Sequence, residues 1–162
     1  MSKQHRYGVD VKWTGNLGSG TSSYQSYSRD HEFRAGQKPA IPGSADAAFR
    51  GDAKRWNPED LLVASISTCH QLWYLHLCAV AGVVVSAYED HAVGIMTEDA
   101  TGAGQFVSVV LRPRVTVTAQ SDANKAIELH HAAAKMCFIA RSVNFPVTHE
   151  PQIERESASQ PA

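Results

Sequence analysis

The chain has 162 residues, of which 43% are hydrophobic and 19% are charged. This composition excludes a disordered protein, and the length suits a chain that buries its own core. The formal net charge of −1 excludes a protein built mainly to bind nucleic acid or an acidic membrane. No apolar run reaches the roughly 20 residues of a membrane span. Because the polar segment 1–7 is unlike a secretory signal, we expect a cytoplasmic protein.

The first third of the chain, 1–56, predicts short strands followed by a loop. Apolar and aromatic side chains predict a strand over 7–13, a returning strand over 21–27 and a third, short strand over 31–34. The segment 35–54 contains three glycines and two prolines, which predicts a long ordered loop. Loops of this length inside compact domains are usually functional.

The middle of the chain predicts a long central helix over 57–81. Asn57 suits the N-cap and Pro58 the first helical position, while Glu59 and Asp60 complement the helix dipole. The helix is apolar on most faces, so we expect it to be buried at the centre of the fold.

The rest of the chain alternates again between strands and helix. Its pattern predicts a strand pair over 82–120, a second helix over 121–142 and a final strand over 143–154. We expect the tail 154–162 to fray. This order predicts a single α+β domain over 1–162, with mostly antiparallel sheets packed around the central helix.

The three cysteines do not form a disulfide scaffold, because their number is small and odd. Cys69 and Cys78 point to opposite sides of the predicted helix, about 13–14 Å apart along its axis, so they cannot bridge. Any disulfide must therefore include Cys137. Cys69 has polar neighbours in His70 and His76, whereas the surroundings of Cys78 suit packing. Spacing alone leaves open a Cys69–Cys137 redox pair and buried structural cysteines.

Two other site chemistries are possible. A zinc site could draw on Cys69, His70, His76, His130, His131 and Cys137. The chain has no Cys-x-x-Cys and no His-Glu-x-x-His motif, which argues against a metal. A cysteine–histidine hydrolase would need His76 or His130 at the thiol, because adjacent positions such as Cys69 and His70 diverge by about 100° on a helix.

Three segments together carry a family resemblance. The helix start Asn57-Pro-Glu-Asp-Leu-Leu62 precedes Ser65-Ile-Ser-Thr-Cys69, and Ala134-Lys-Met-Cys137-Phe-Ile-Ala-Arg-Ser-Val143 comes late in the chain. With this two-cysteine spacing, the chain resembles the OsmC/Ohr proteins, which are osmotically inducible and organic-hydroperoxide-resistance proteins. The match extends over nearly the whole chain. It implies an OsmC-like fold and an intertwined homodimer with its sites at the interface.

The resemblance further implies a thiol peroxidase that reduces organic hydroperoxides to alcohols. Cys69 takes the position of the family's peroxidatic cysteine, Cys137 that of its resolving cysteine and Glu59 that of its glutamate. Arg50, nine residues before Glu59, is the closest match to the active-site arginine. Arg29 is the fallback.

Two features depart from the family pattern. The first hairpin, 11–20, has no arginine, whereas the Ohr branch takes its active-site arginine from that hairpin. His70 follows Cys69, where the best-known members mostly have an apolar residue.

Helix geometry separately favours the implied homodimer. On one continuous helix, Glu59 and Cys69 lie about 15 Å apart along the axis. They can share a site only across a subunit interface, or if the start of the helix folds back as a loop.

The implied reaction needs an apolar pocket and a reductant, but no cofactor and no metal. Phe49, Leu72, Trp73 and Phe138 are the candidates for the pocket. A dithiol, of the lipoyl type in the family, would reduce the disulfide by exchange. The alternative is a non-catalytic relative that binds a small apolar ligand at the dimer interface.

Overall fold

The computed structural model describes residues 3–157, so the end of the tail that we expected to fray lies outside the described residues. The chain forms two compact units, which divide between Leu62 and Val63. The described residues 154 and 155 belong to a strand, so the tail begins later than expected.

The first unit holds a three-stranded antiparallel sheet. Its strands, in spatial order, are β1 (Asp10–Trp13), β2 (His31–Arg34) and β3 (Ile41–Gly43). The prediction for β2 is confirmed in its exact bounds, and β1 covers the second half of the predicted first strand. β3 and a short 3₁₀ helix (Ala47–Phe49) lie in the segment that we expected to be a loop without strands.

The returning strand predicted over 21–27 is wrong, because this segment forms turns. The Ser26 hydroxyl donates hydrogen bonds to the carbonyl oxygens of Gly20, at 3.0 Å, and Ser23, at 2.9 Å. Serine side chains that bond to nearby backbone compete with strand pairing. Gly20 also has a φ of 58°, which is outside the range of a β-strand.

The central helix, α1, runs without a break from Pro58 to Val80. The Asn57 side chain accepts a hydrogen bond of 2.7 Å from the backbone N–H of Asp60, which confirms the predicted N-cap. Only one stripe of α1 is buried, formed by Ile66, His70, Tyr74 and Cys78.

The prediction that α1 is buried at the centre of the fold holds for this stripe, while most of the remaining residues of the helix are only half-buried. Tyr74 and Cys78 of the buried stripe pack with residues of β-strands and of a second helix, and Trp73, Leu75 and Leu77 are partly buried against the same cluster. Leu72 on the helix is 63% exposed, and Val80 at its end is also exposed. The single chain therefore leaves an apolar part of its longest helix uncovered.

The strand pair predicted over 82–120 is broken into four strands. These are β4 (Val85–Asp90), β5 (Val93–Glu98), β6 (Gly104–Leu111) and β7 (Pro113–Val117). β4 pairs with β7 and β5 pairs with β6, both antiparallel.

The break between β4 and β5 lies opposite the break between β6 and β7. The Asp90 carboxylate accepts a 2.7 Å hydrogen bond from the backbone N–H of Arg112, and the His91 N–H donates to the Arg112 carbonyl. Pro113, which follows, has no N–H to donate. What would be one long hairpin is thus bent into two separate pairs.

The second helix, α2, spans Ala123–Met136 and is capped by Asp122. It ends earlier than the predicted 121–142, because Cys137 leaves the helical conformation with a ψ of 110°. The Cys137 sulfur then accepts a hydrogen bond of 3.4 Å from the backbone N–H of Ala140. Cys137 therefore sits at the C-terminal end of α2.

The single final strand predicted over 143–154 is two strands. β8 (Val147–His149) pairs parallel with β6, and β9 (Gln152–Arg155) pairs parallel with β7. Pro151 lies between them and has no N–H for continued pairing. The second unit therefore has two three-stranded sheets, and the α+β class with mostly antiparallel pairing is confirmed.

Candidate functional site

Cys69 and Cys137 come together in the second unit. Cys69 lies on α1 and Cys137 follows α2, and the two thiols are close enough for Cys69 to raise the pKa of Cys137. The Cys137 sulfur also lies 4.0 Å from the carbonyl oxygen of Ile66. Both residues are free cysteines. Cys78 is buried elsewhere in the core with Tyr74 and Val117. Spacing had left open whether Cys69 and Cys137 form a pair. In the structure these two cysteines are neighbours.

The two neighbouring thiols have different environments. Cys69 is partly exposed, whereas Cys137 is 1% exposed. Burial, and then the hydrogen bond to Cys69, raises the pKa of Cys137 to about 11. Cys137 is therefore a protonated thiol at neutral pH. The pair combines one sulfur that a solute can reach with one that is shielded.

A small cavity lies next to the shielded sulfur. Its volume is about 20 Å³, and its walls include Cys137, His70 and His149. This is room for one water molecule. An organic hydroperoxide is too large for it, so a substrate of this kind must reach Cys69 from the solvent side.

A cluster of buried histidines lies behind the cavity. His70 Nε2 is 3.0 Å from His130 Nδ1, and the His130 ring stacks on Tyr74 with the ring centroids 3.7 Å apart. Burial lowers the pKa of His70 to about 4 and that of His130 to about 3. Both rings are therefore neutral at pH 7.

A second histidine pair connects the cavity to the surface. His149 on β8 is half-buried, and its Nε2 is 3.2 Å from Nδ1 of the exposed His131 on α2. The sequence analysis did not consider His149. Its alternation with Val147 in the final strand was the available signal, because residues two apart share one face of a strand.

The hydrolase alternative required a histidine beside a thiol. His130 is bonded instead to His70. The exposed His76 ring packs edge-on against Trp73, with the centroids 5.8 Å apart. Within residues 3–157, no group of three or more His, Cys, Asp or Glu side chains is arranged to hold a metal ion.

Three of the four residues predicted for the apolar pocket lie in the same unit as the thiols. Leu72 and Trp73 follow Cys69 by three and four residues on α1, so they lie on the same side of the helix. Trp73 contacts Phe138 edge-to-face at a centroid distance of 5.6 Å, and Phe138 is 65% exposed. Phe49 belongs to the first unit and is partly exposed.

The candidate arginines and Glu59 also belong to the first unit. The Arg29 guanidinium donates hydrogen bonds to the carbonyl oxygens of Tyr27, at 2.7 Å, and Tyr24, at 2.8 Å. The Arg50 guanidinium lies 5.8 Å from the centroid of the Tyr24 ring, and Arg50 has a left-handed φ of 64°. Glu59 is half-buried in the first turn of α1. Arg29 thus holds a loop through these backbone carbonyl oxygens.

The family model of OsmC-like proteins matches residues 51–152, which include both thiols. The chain belongs to the OsmC family. No curated protein matches the sequence significantly.

Solved structures show the same fold. An OsmC-like protein of unknown function from Vibrio cholerae has a TM-score of 0.84 and 30% identity, over 92% of this chain and 100% of that one. An organic hydroperoxide resistance protein from Elizabethkingia anophelis has a TM-score of 0.68 and 12% identity, over 96% and 100% of the two chains. An organic hydroperoxide resistance protein from Legionella pneumophila has a TM-score of 0.66 and 13% identity, over 94% and 99%.

These likenesses confirm the OsmC/Ohr fold and a family that includes hydroperoxide-resistance proteins. No described helix of this member is long and apolar enough to cross a bilayer.

Proposed function

We propose that this OsmC-family protein reduces organic hydroperoxides with Cys69 as the peroxidatic and Cys137 as the resolving cysteine. One observation carries the proposal: the partly exposed Cys69 thiol lies close enough to the buried Cys137 thiol to raise the pKa of Cys137. A peroxidatic cysteine must meet its substrate, whereas a resolving cysteine only has to meet the first sulfur. The difference in exposure matches this division of roles.

The reaction proceeds in two steps. The Cys69 thiolate attacks one peroxide oxygen, the O–O bond breaks, and Cys69 becomes a sulfenic acid while the alkoxide takes up a proton to leave as an alcohol. The Cys137 sulfur then displaces the hydroxyl oxygen, which forms the Cys69–Cys137 disulfide and releases water. A dithiol of the lipoyl type restores both thiols by exchange and is itself oxidised. A reducing compartment such as the cytoplasm suits this cycle.

The exposed apolar side chains next to Cys69 favour organic over inorganic peroxides. Leu72, Trp73 and Phe138 would contact the organic part of the substrate, and Phe49 remains a further candidate for such a contact. Burial of apolar surface contributes roughly 25 cal/mol per Å², a contribution that hydrogen peroxide lacks.

A guanidinium near Cys69 would favour the thiolate and hold a peroxide oxygen. We assign this role to Arg50, with Glu59 as the carboxylate that orients it through a bidentate pair. Ten residues of an unbroken helix separate Glu59 from Cys69, which corresponds to a rise of about 15 Å. In this proposal Glu59 of the partner subunit therefore completes the site of a homodimer.

The decisive experiment follows thiol loss and peroxide consumption by stopped flow with cumene hydroperoxide. We expect the wild type to lose two thiols per chain, Cys69→Ser to be inactive, and Cys137→Ser to complete one turnover and then stop. Cys78→Ala is the matched control, because it removes a buried thiol from the core and leaves the reacting pair intact.

If wild type and Cys69→Ser consume peroxide at the same background rate with a dithiol present, the peroxidase proposal is overturned. Saturable binding of an apolar ligand by that inactive protein would then favour the non-catalytic alternative. The exposed Leu72 and Phe138 side chains are the observation that supports this second candidate.

A further inference from the structure

The cavity beside Cys137 and the histidine pair behind it lie between the buried thiol and the surface. The cavity walls are mostly apolar, and their polar side chains are Cys137, His70 and His149. The cavity touches Cys137 at one wall and His149 at another. From His149 a contact of 3.2 Å leads to His131, which is exposed to solvent. We propose that this route, through one water molecule, His149 and His131, carries the proton of the Cys137 thiol to and from solvent. The inference rests on the proposed function.

The resolving step removes a proton from Cys137, which such a route would carry. When the disulfide forms, the S–S bond is made, the S–O bond of the Cys69 sulfenic acid breaks, and the thiol proton must leave Cys137. The hydroxide released from Cys69 takes a proton from solvent to become water. Because Cys137 is buried, its proton reaches solvent either past the partly exposed Cys69 or through the residues that line its cavity.

The protonation states along the route suit proton transfer. The pKa of Cys137 is raised to about 11, so only about one molecule in 10⁴ is ionised at pH 7. Burial, and then the neighbouring His131, lowers the pKa of His149 below its usual value, which leaves a neutral ring. A neutral imidazole has one acceptor and one donor nitrogen, so it can accept a proton on one side and release one on the other.

The remaining titratable groups that face the cavity do not offer an exit. His70, from α1, also lines the cavity, but its Nε2 is bonded to His130 of α2. His130 Nε2 is buried without a hydrogen-bond partner, and Tyr74 covers the His130 ring. Among the described residues, this branch ends inside the protein. Of the described histidines near the cavity, the pair of His149 and His131 is the one that reaches solvent.

The experiment measures the resolving step by itself. Protein is mixed with cumene hydroperoxide, quenched with acid at successive times and analysed by mass spectrometry for the Cys69 sulfenic acid and the disulfide. We expect His149→Gln to slow the conversion of sulfenic acid into disulfide at pH 7 by at least about tenfold. His131→Gln should slow it less, because water can replace a surface ring. His91→Gln, which removes another exposed histidine, should match the wild type.

The pH profile distinguishes a proton route from a structural role. Without the route, Cys137 must ionise before it attacks, so in His149→Gln the rate should rise about tenfold per pH unit between pH 6 and 9. The wild-type rate should depend far less on pH. A variant with the wild-type rate, or a slower variant whose pH profile keeps the wild-type shape, overturns the inference.

If His149→Gln does not fold, His131→Gln still tests the inference. In that case an unchanged rate and pH profile in His131→Gln overturn the inference. Failure of the proposed function looks different, because no sulfenic acid would then form at Cys69 in any variant.

Discussion

His70 Nε2 and His130 Nδ1 lie 3.0 Å apart in the buried part of the second unit, on helices that are distant in sequence. His70 is 2% exposed and His130 is fully buried. One ring donates its proton to the other, so the contact requires at least one unprotonated nitrogen. Two buried imidazoles that must stay neutral make folding depend on pH.

We predict that the protein loses stability as the pH falls below about 6.5. Burial lowers the folded-state pKa values to about 4 for His70 and about 3 for His130, from 6.5. The unfolded chain therefore binds protons that the folded chain does not, and acid favours unfolding. At pH 5 each histidine lowers the free energy of unfolding by about 2 kcal/mol relative to pH 8.

Urea denaturation at pH 8, 6 and 5 checks this. His130→Leu should remove the share of the pH-dependent loss that His130 contributes, while His70 and His149 keep theirs. Its stability at pH 8 should be lower because His70 loses its partner. His91→Gln should follow the wild-type curve, since His91 is well exposed. Equal unfolding free energies for the wild type at pH 8 and pH 5 would contradict the prediction.

Alkylation should distinguish the three cysteines in the native protein. Iodoacetamide at pH 7.5 is expected to modify Cys69 first, because it is the partly exposed thiol. Burial raises the pKa of both Cys78 and Cys137, so these thiols are protonated as well as shielded. Peptide mapping by mass spectrometry reads the order. In urea all three should react at similar rates, and a native protein modified first at Cys78 would refute the assignment.

Removing the N-cap of α1 should destabilise the fold. Asn57→Ala deletes the side-chain oxygen that accepts the Asp60 N–H at 2.7 Å, which costs about 1 kcal/mol. Chemical denaturation measures the change. Asn57→Asp, which keeps an acceptor, is the control and should stay close to the wild type.

The uncovered face of α1 predicts self-association. Leu72 is 63% exposed, and Phe138 is exposed in the same unit. If a second subunit covers them, Leu72→Glu should convert a dimer into a monomer at micromolar concentration, measured by light scattering. Asn124→Glu, which puts the same charge on an exposed position of α2, should remain dimeric. A wild type that is strictly monomeric would exclude the homodimer.

The sequence correctly predicted the elements whose bounds depend on neighbouring residues in the chain. The cap at Asn57 and the proline after it predicted the start of α1 to the residue, and alternation predicted β2. The serine-rich turn before β2 was mistaken for a strand, because its side-chain hydrogen bonds to the backbone compete with sheet pairing in a way that hydrophobic patterning does not detect.

Long-range contacts set the features that the sequence analysis missed. The bend between the two strand pairs depends on Asp90 and Arg112, which are 22 positions apart. The cavity needs α1, α2 and β8 at once, so the alternation of His149 with Val147 could place His149 on one face of a strand but not beside Cys137. For the site, a family resemblance pointed to Cys69 and Cys137, whereas spacing alone had left their pairing open.

Because Cys137 is shielded, a reductant can attack the Cys69–Cys137 disulfide at one of its two sulfurs only. An incoming thiolate attacks the sulfur that it can approach. Cys137 is buried at the end of α2, so the attacked sulfur is that of Cys69. Reduction should therefore pass through a covalent adduct between the reductant and Cys69, with Cys137 expelled as the leaving group. The raised pKa of Cys137 makes it a poor leaving group unless a proton reaches it as the bond breaks. Regeneration, and not only oxidation, would then depend on proton delivery to this buried sulfur.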